Sequence, residues 1–134
     1  MKYQNILIID DDEDDREIFL EAVKEVSSTV ECMAFDSGIE ALKQLRLHNI
    51  SPDVIFLDLN MPVISGQQFL MELKNDPGLQ SIPVIIFSTS SRPSTIQEMK
   101  ELGATDFIIK PSGFRDLVHI LVPFLKKNVD GRTN

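Results

Sequence analysis

Ile6-Leu7-Ile8-Ile9-Asp10-Asp11 decides the fold, and Asp12-Glu13-Asp14-Asp15 follows it without a break. A continuous, largely β-branched apolar run suits a strand covered on both faces, as in parallel sheets flanked by helices. Four further runs share its character, at residues 30–35, 54–57, 84–87 and 107–109. Between them the apolar residues recur at helical spacing: Ile18/Phe19, Ala22/Val23 and Val26; Ile39, Leu42 and Leu45; Phe69/Leu70 and Leu73; Ile96, Met99 and Leu102; Phe114, Leu117, Ile120/Leu121 and Phe124/Leu125. Start and stop signals agree with this division. Ser37-Gly38-Ile39-Glu40 reads as a capping box, Pro93 stands near a helix start, and Gly103 follows the fourth helical pattern. Five strands alternating with five helices give an α/β chain of (βα)5 type with a parallel sheet.

The chain's 134 residues suit one domain, and 43% apolar with 25% charged residues is the composition of an ordinary globular protein. A single cysteine, Cys32, excludes an internal disulfide and a multi-cysteine zinc site, and points to a reducing compartment. No apolar run reaches the ~18–20 residues of a membrane span, and the N-terminus does not read as a signal peptide. The location expected is cytoplasmic, with no membrane insertion. Net charge is −8, yet it is concentrated: outside the six consecutive acids at residues 10–15, the other 15 of the 21 acids nearly balance 13 bases. A nucleic-acid binder would carry a basic stripe, and none is present. The acidic spot points to a cation.

Open parallel sheets place ligands at the carboxyl ends of their strands. The first run ends in Asp10-Asp11, the third in Asp58, the fourth in Ser88-Thr89 and the fifth in Lys110-Pro111; the second ends blandly at Asp36-Ser37. In a parallel sheet these groups converge. Three carboxylates gathered on one edge call for a divalent cation, and oxygen-only ligands favour Mg²⁺ over zinc or copper. Three carboxylates, Mg²⁺ and Lys110 leave the pocket neutral and able to admit a phosphoryl group, with Lys110 and the Ser88 hydroxyl on its oxygens. An acidic run that opens a helix also serves the helix dipole, and for Asp12, Glu13, Asp14 and Asp15 a solvated helix start is the expected role. Asp10, Asp11 and Asp58 directly follow buried strands, where unpaired acids are costly.

Ile8-Ile9-Asp10-Asp11, Asp58-Leu59-Asn60-Met61-Pro62 with Gly66, Pro83-Val84-Ile85-Ile86-Phe87-Ser88, and Gly103-Ala104 with Phe107-Ile108-Ile109-Lys110-Pro111 together resemble the receiver domain of response regulators. The resemblance runs over residues 5–127 and is nearest to single-domain, CheY-like receivers, including those paired with phytochrome-class kinases. It implies a flavodoxin- and CheY-like doubly wound five-stranded sheet of strand order 2-1-3-4-5, a receiver over residues 1–128, and a short polar tail at 129–134 with no output domain. It implies that Asp58 accepts phosphate from a sensor histidine kinase and that the chain is a phosphoacceptor, not an enzyme turning over substrate. Asp11, Asp58 and the Asn60 backbone carbonyl would bind Mg²⁺ directly, and Asp10 through water. Lys110 would pair with the phosphoryl oxygens. Ser88 would bind them and couple to Phe107, the aromatic switch position. The Lys110–Pro111 bond would be cis. A histidine phosphotransfer protein, or a downstream target bound on the surface of the fourth helix, fifth strand and fifth helix, is a further implied partner.

Four positions depart from the commonest family pattern: Ser65 before Gly66, Ser88 for threonine, the bulkier Thr89 beside it, and Phe107 for tyrosine. None removes a group that phosphorylation requires. Cys32, Met33, Met61, Met71 and Met99 read as core, and His48 and His119 as solvated. Pro123 falls inside the fifth helical pattern, where a bend is expected. Among rival functions, a phosphatase of the haloacid dehalogenase class needs a second Asp two positions after its nucleophile, where Asn60 stands. A flavin or nucleotide binder would place its phosphate against six acids. A docking module that is never phosphorylated is the third alternative, and the presence of Asp58, Ser88 and Lys110 together argues against it.

Overall fold

The computed structural model describes residues 2–125, and the tail expected at 129–134 lies outside them. Strands β1 (Asn5–Ile9), β2 (Glu31–Phe35), β3 (Val54–Leu57), β4 (Val84–Ser88) and β5 (Asp106–Ile109) alternate with helices α1 (Glu13–Val26), α2 (Gly38–Arg46), α3 (Gly66–Lys74), α4 (Pro93–Glu101) and α5 (Phe114–Leu121). All strand pairs are parallel, in the order β2-β1-β3-β4-β5. The expected doubly wound fold is the observed one.

The strand alternation builds two cores. Ile6, Ile8, Val54, Phe56, Ile85 and Phe87 face α1 and α5, while Leu7, Ile9, Ile55, Leu57, Val84 and Ile86 face α2, α3 and α4. The first core is tied by aromatic rings: Phe19 of α1 sits 5.0 Å from Phe56 and 5.5 Å from Phe87, centroid to centroid. These tilted and edge-on pairs hold α1, and so its acidic first turn, against the sheet.

Local signals explain most boundaries. Asp12 caps α1 by accepting from the Asp15 N–H, and Pro93 opens α4 at its first turn. Ser37 caps α2 through the Glu40 N–H, but Glu40 turns outward to accept from Gln44. The reciprocal capping box lies instead at Ser65 and Gln68, before α3. Ser65 thus has a helix-starting job. Gly103, at φ 108°, ends α4 in a conformation that side-chain-bearing residues rarely adopt.

Three further expectations are corrected. Pro123 does not bend a helix; α5 stops at Leu121, two residues before it. A proline there has no N–H to offer the His119 carbonyl, so the chain leaves the helix and Phe124 accepts from the Tyr3 N–H at 2.7 Å. The Lys110–Pro111 bond is trans, since the described residues contain no cis peptide, and trans is the lower-energy isomer of an X–Pro bond. Met99 is buried and Met61 packs on the second core, but Met33 and Met71 are exposed. Met33 lies on the edge strand β2, lining a groove with Ile50. Cys32 packs against the first core, and burial pushes its thiol up to about 12, far from reactivity. His48 and His119 are exposed.

Candidate functional site

Reversal of the strand order leaves a crevice beyond the carboxyl ends of β1 and β3, the two strands between which the chain changes direction. Asp10 and Asp58 follow those strands directly. Their backbones extend the sheet by one rung: Asp10 N–H donates to Phe35 O and Asp58 N–H to Ile9 O, each at 3.0 Å. Both side chains are therefore held by sheet geometry, and both residues are almost fully buried, at 1% and 5% exposure. Asp11 is exposed at the rim, and one carboxylate oxygen from each of Asp10, Asp11 and Asp58 lies within 4.8 Å of the others.

Lys110 reaches the same crevice from the end of β5. Its backbone N–H donates to Ser88 O at 2.8 Å, so β4 and β5 carry the pairing up to the site. Its ammonium lies 2.7 Å from Asp10 Oδ2, 2.9 Å from Asp15 Oδ2 and 3.7 Å from Asp58 Oδ1. It also stands 5.6 Å from the centre of the buried Phe87 ring, a cation–π distance. Burial would lower the Lys110 ammonium, but hydrogen bonds to Asp10 and Asp15 and the charge of Asp58 outweigh it and hold it above the ordinary lysine value. Its charge is secure at neutral pH. Asp58 shows the opposite balance. Burial pushes its carboxyl up to about 6, Asp10 and Asp11 add to the rise, and Lys110 with the Asn60 N–H only partly oppose it.

Asp10 is the more saturated acid. Its Oδ1 accepts from the Asp12 N–H at 3.0 Å, its Oδ2 from Lys110, and its backbone carbonyl from Arg16 Nη1 at 2.9 Å. Ser88 is fully buried at the end of β4, where its hydroxyl accepts from the Ser90 N–H at 3.3 Å, a bond that uses a lone pair and not the hydroxyl proton. Phe107 is half-buried on β5, paired in register with Ile86, on the sheet face that also carries Ser88. Asn60 is exposed in the turn after β3, with its N–H directed to Asp58.

Gly66 shapes the floor. Its N–H donates to Leu59 O at 3.0 Å, and a Cβ there would collide with the Asp58 carbonyl oxygen and come within 2.7 Å of Leu59 Cα. Only glycine lets α3 start that close beneath the Asp58 backbone. Asp10, Asp11, Asp58 and Lys110 are thus brought together as expected, with Ser88 at the adjoining strand end. Asp15 and Arg16 were not expected there. Helical register gives no signal for Asp15, because Asp11 lies before the Asp12 cap and outside α1.

The comparisons with known proteins agree with this geometry. A family model for the response regulator receiver domain matches residues 6–122. The chain is 33% identical over 122 residues to the two-component response regulator ORR8 of Oryza sativa, covering 90% of this chain and 98% of that protein. It is 35% identical over 115 residues to a protein-glutamate methylesterase/protein-glutamine glutaminase of Syntrophomonas wolfei, covering 84% of this chain but only 31% of that longer protein. Among solved structures, the phosphorylated cyanobacterial phytochrome response regulator RcpA superposes with a TM-score of 0.82 at 32% identity, over 90% of each chain. The Mn²⁺-bound response regulator Rcp1 superposes at 0.80 with 27% identity, again over 90% of each.

Proposed function

The chain belongs to the response regulator receiver family, and from that premise we propose that it accepts a phosphoryl group on Asp58 from a phosphohistidine of a sensor kinase. One observation carries the reading: a nearly buried carboxylate, Asp58, stands beside a secured ammonium and two further carboxylates at the switch point of the sheet.

The transfer balances simply. An Asp58 oxygen attacks phosphorus, the P–N bond to the partner's imidazole breaks, and the imidazole nitrogen keeps the bonding pair and takes a proton. Little covalent work falls to the protein; positioning and charge neutralisation dominate. Sheet pairing fixes the Asp58 backbone. Lys110 supplies a positive charge to the phosphoryl oxygens, and Ser88 has an unspent hydroxyl proton at the neighbouring strand end.

The donor set fits a divalent cation. Asp10, Asp11 and Asp58 offer only oxygen ligands, and the charges of Asp10 and Asp11 add to the rise that burial imposes on the Asp58 carboxyl. Asp11 and Asp58 would hold Mg²⁺, together with the Asn60 carbonyl. Asp10, both of whose oxygens are engaged by protein donors, fits a role through water. When bound, the ion supplies charge neutralisation for the incoming phosphoryl oxygens. No described helix is long and apolar enough to cross a membrane.

Incubation with acetyl phosphate and Mg²⁺ tests the reading. One base-labile phosphoryl group is expected at Asp58 by mass spectrometry, absent in Asp58→Asn. Equal labelling of that variant overturns it.

A further inference from the structure

We propose that Asp15 is a positioning residue for this chemistry: it competes with the Asp58 phosphoryl group for the Lys110 ammonium and so restrains phosphoryl uptake. The inference rests on the reading of Asp58 as the phosphoacceptor.

An ammonium has three N–H donors in a tetrahedral array. In Lys110 two of them are committed, to Asp10 at 2.7 Å and to Asp15 at 2.9 Å, while Asp58 at 3.7 Å is outside hydrogen-bonding distance. The resting protein therefore holds its phosphoryl-binding cation partly away from the acceptor. Asp15 is fixed for this role by its own helix. It sits in the first turn of α1, where its N–H is bound by the capping Asp12 side chain at 3.0 Å, a bond that orders the turn presenting its carboxylate to Lys110.

The two ties differ in strength. Asp10 has a side chain 1% exposed, and breaking its bond to Lys110 would strand a buried charge. The Asp15 side chain is 40% exposed and can fall back on solvent. An aspartyl phosphate on Asp58 carries a charge near −2 and draws the ammonium toward itself. The Asp10 contact can persist through that movement; the Asp15 contact is the one that opens. Asp15 and Lys110 both line a surface pocket of about 190 Å³ with Ile18, Phe87 and Phe114, so the swing takes place at an open wall and needs no repacking of the core.

Asp14 provides the control. It has the same charge, is next in the chain and is exposed, but lies about 100° round the helix. Initial rates of labelling by acetyl phosphate with Mg²⁺ are compared for the native protein, Asp15→Asn, Asp15→Glu and Asp14→Asn, each with a native-like amide spectrum. Asp15→Asn should label about three- to fivefold faster at low salt, as fits loss of a half-exposed ion pair. Its advantage should shrink as salt rises. Asp15→Glu should restore the native rate, and Asp14→Asn should stay within about twofold of native, since screened surface charge alone has little leverage. The ¹⁵N signal of the Lys110 ammonium, assigned by its loss in Lys110→Met, should shift in Asp15→Asn and not in Asp14→Asn. Equal rates for native and Asp15→Asn, or equal acceleration by Asp14→Asn, overturn the proposal. If the native protein takes no label, the reading of Asp58 fails, and an unmoved Lys110 signal in Asp15→Asn then overturns the anchoring by itself.

Discussion

Lys110 and Asp58 face each other at 3.7 Å, inside ion-pair range and beyond hydrogen-bonding distance. The lysine is closer to Asp10 by a full ångström. One cation is thus shared unequally among three acids, and the acid positioned for chemistry receives the smallest part. Burial raises the Asp58 carboxyl to about 6 and its distant share of Lys110 only partly opposes the rise, while Asp10 and Asp15 hold the Lys110 ammonium above its ordinary value against the cost of burial. Three carboxylates against one ammonium leave the site with a deficit of positive charge.

The deficit has a consequence for stability. An acid whose folded-state pKa is raised holds its proton more tightly when folded, so ionising it costs stability as pH rises from about 4 through about 6. Above that range the cost is fully present. Asp58→Asn removes it and should raise stability at pH 7–8 in chelator by on the order of 1–3 kcal/mol, the scale of two pKa units with some structural relaxation. Near pH 4 the gain should vanish, and millimolar Mg²⁺ should narrow it at pH 7. Paired melting curves across pH check this. No gain at pH 7 in chelator means that the Asp58 charge is already compensated.

Lys110 gives the opposite sign. Its pKa is raised, so its contribution is complete below the ordinary lysine value and is lost only in strongly alkaline solution. Lys110→Met leaves Asp10 buried and without its cation. The expected loss at pH 7 is about 3–5 kcal/mol, as for other buried pairs broken from one side. Urea unfolding at neutral pH measures it, and a loss under about 1 kcal/mol means Arg16 and the Asp12 N–H suffice to hold Asp10.

How far the site could be read from sequence depends on what each residue interrupts. Asp10, Asp58, Ser88 and Lys110 each end a continuous apolar run, so a polar group at that place is conspicuous and the parallel sheet brings the four together. Asp15 ends nothing. It belongs to an acidic helix start that the dipole explains equally well, and only the fold reveals which of those acids meets a lysine 95 residues away. Pro123 follows the same logic. Apolar spacing continues past it to Leu125, but one missing N–H outweighs the pattern and the helix stops. Met33 looks like core because its strand is apolar, and the position of β2 at the sheet edge is a topological fact that no local pattern contains.

Gly66 links α3 to the Asp58 backbone. Gly66→Ala forces a Cβ against the Asp58 carbonyl and Leu59 Cα, neither of which is a flexible side chain that can yield. We expect a loss of roughly 1–3 kcal/mol, the usual range for overpacking. Labelling by acetyl phosphate should also fall, because the displaced atoms carry the acceptor. Native labelling in a destabilised Gly66→Ala protein shows that the collision is relieved through α3 and not through Asp58.

The final prediction concerns how a phosphoryl group is sensed beyond the crevice. Ser88 and Phe107 lie on the same face of the sheet, with Phe107 paired to Ile86, two residues before Ser88. Ser88 is fully buried, and Phe107 is half-buried against the core formed with α4. At rest the Ser88 hydroxyl accepts from the Ser90 N–H, and turning its proton toward phosphoryl oxygens would shift it and open space on the sheet face it shares with Phe107. Packed interiors do not leave such space open, which favours an inward turn of the ring. The expected response is a shift between two populated arrangements, biased by a new charge near −2 on Asp58. Ser88→Ala keeps Asp58 and Lys110 and should still take up the phosphoryl group, though several-fold more slowly. Its amide shifts at Phe107 and along α4 on adding beryllofluoride and Mg²⁺ should fall to well under half of the native change. Native-sized shifts at Phe107 in Ser88→Ala assign the coupling to another group, with the Lys110 backbone bond to Ser88 O the next to test.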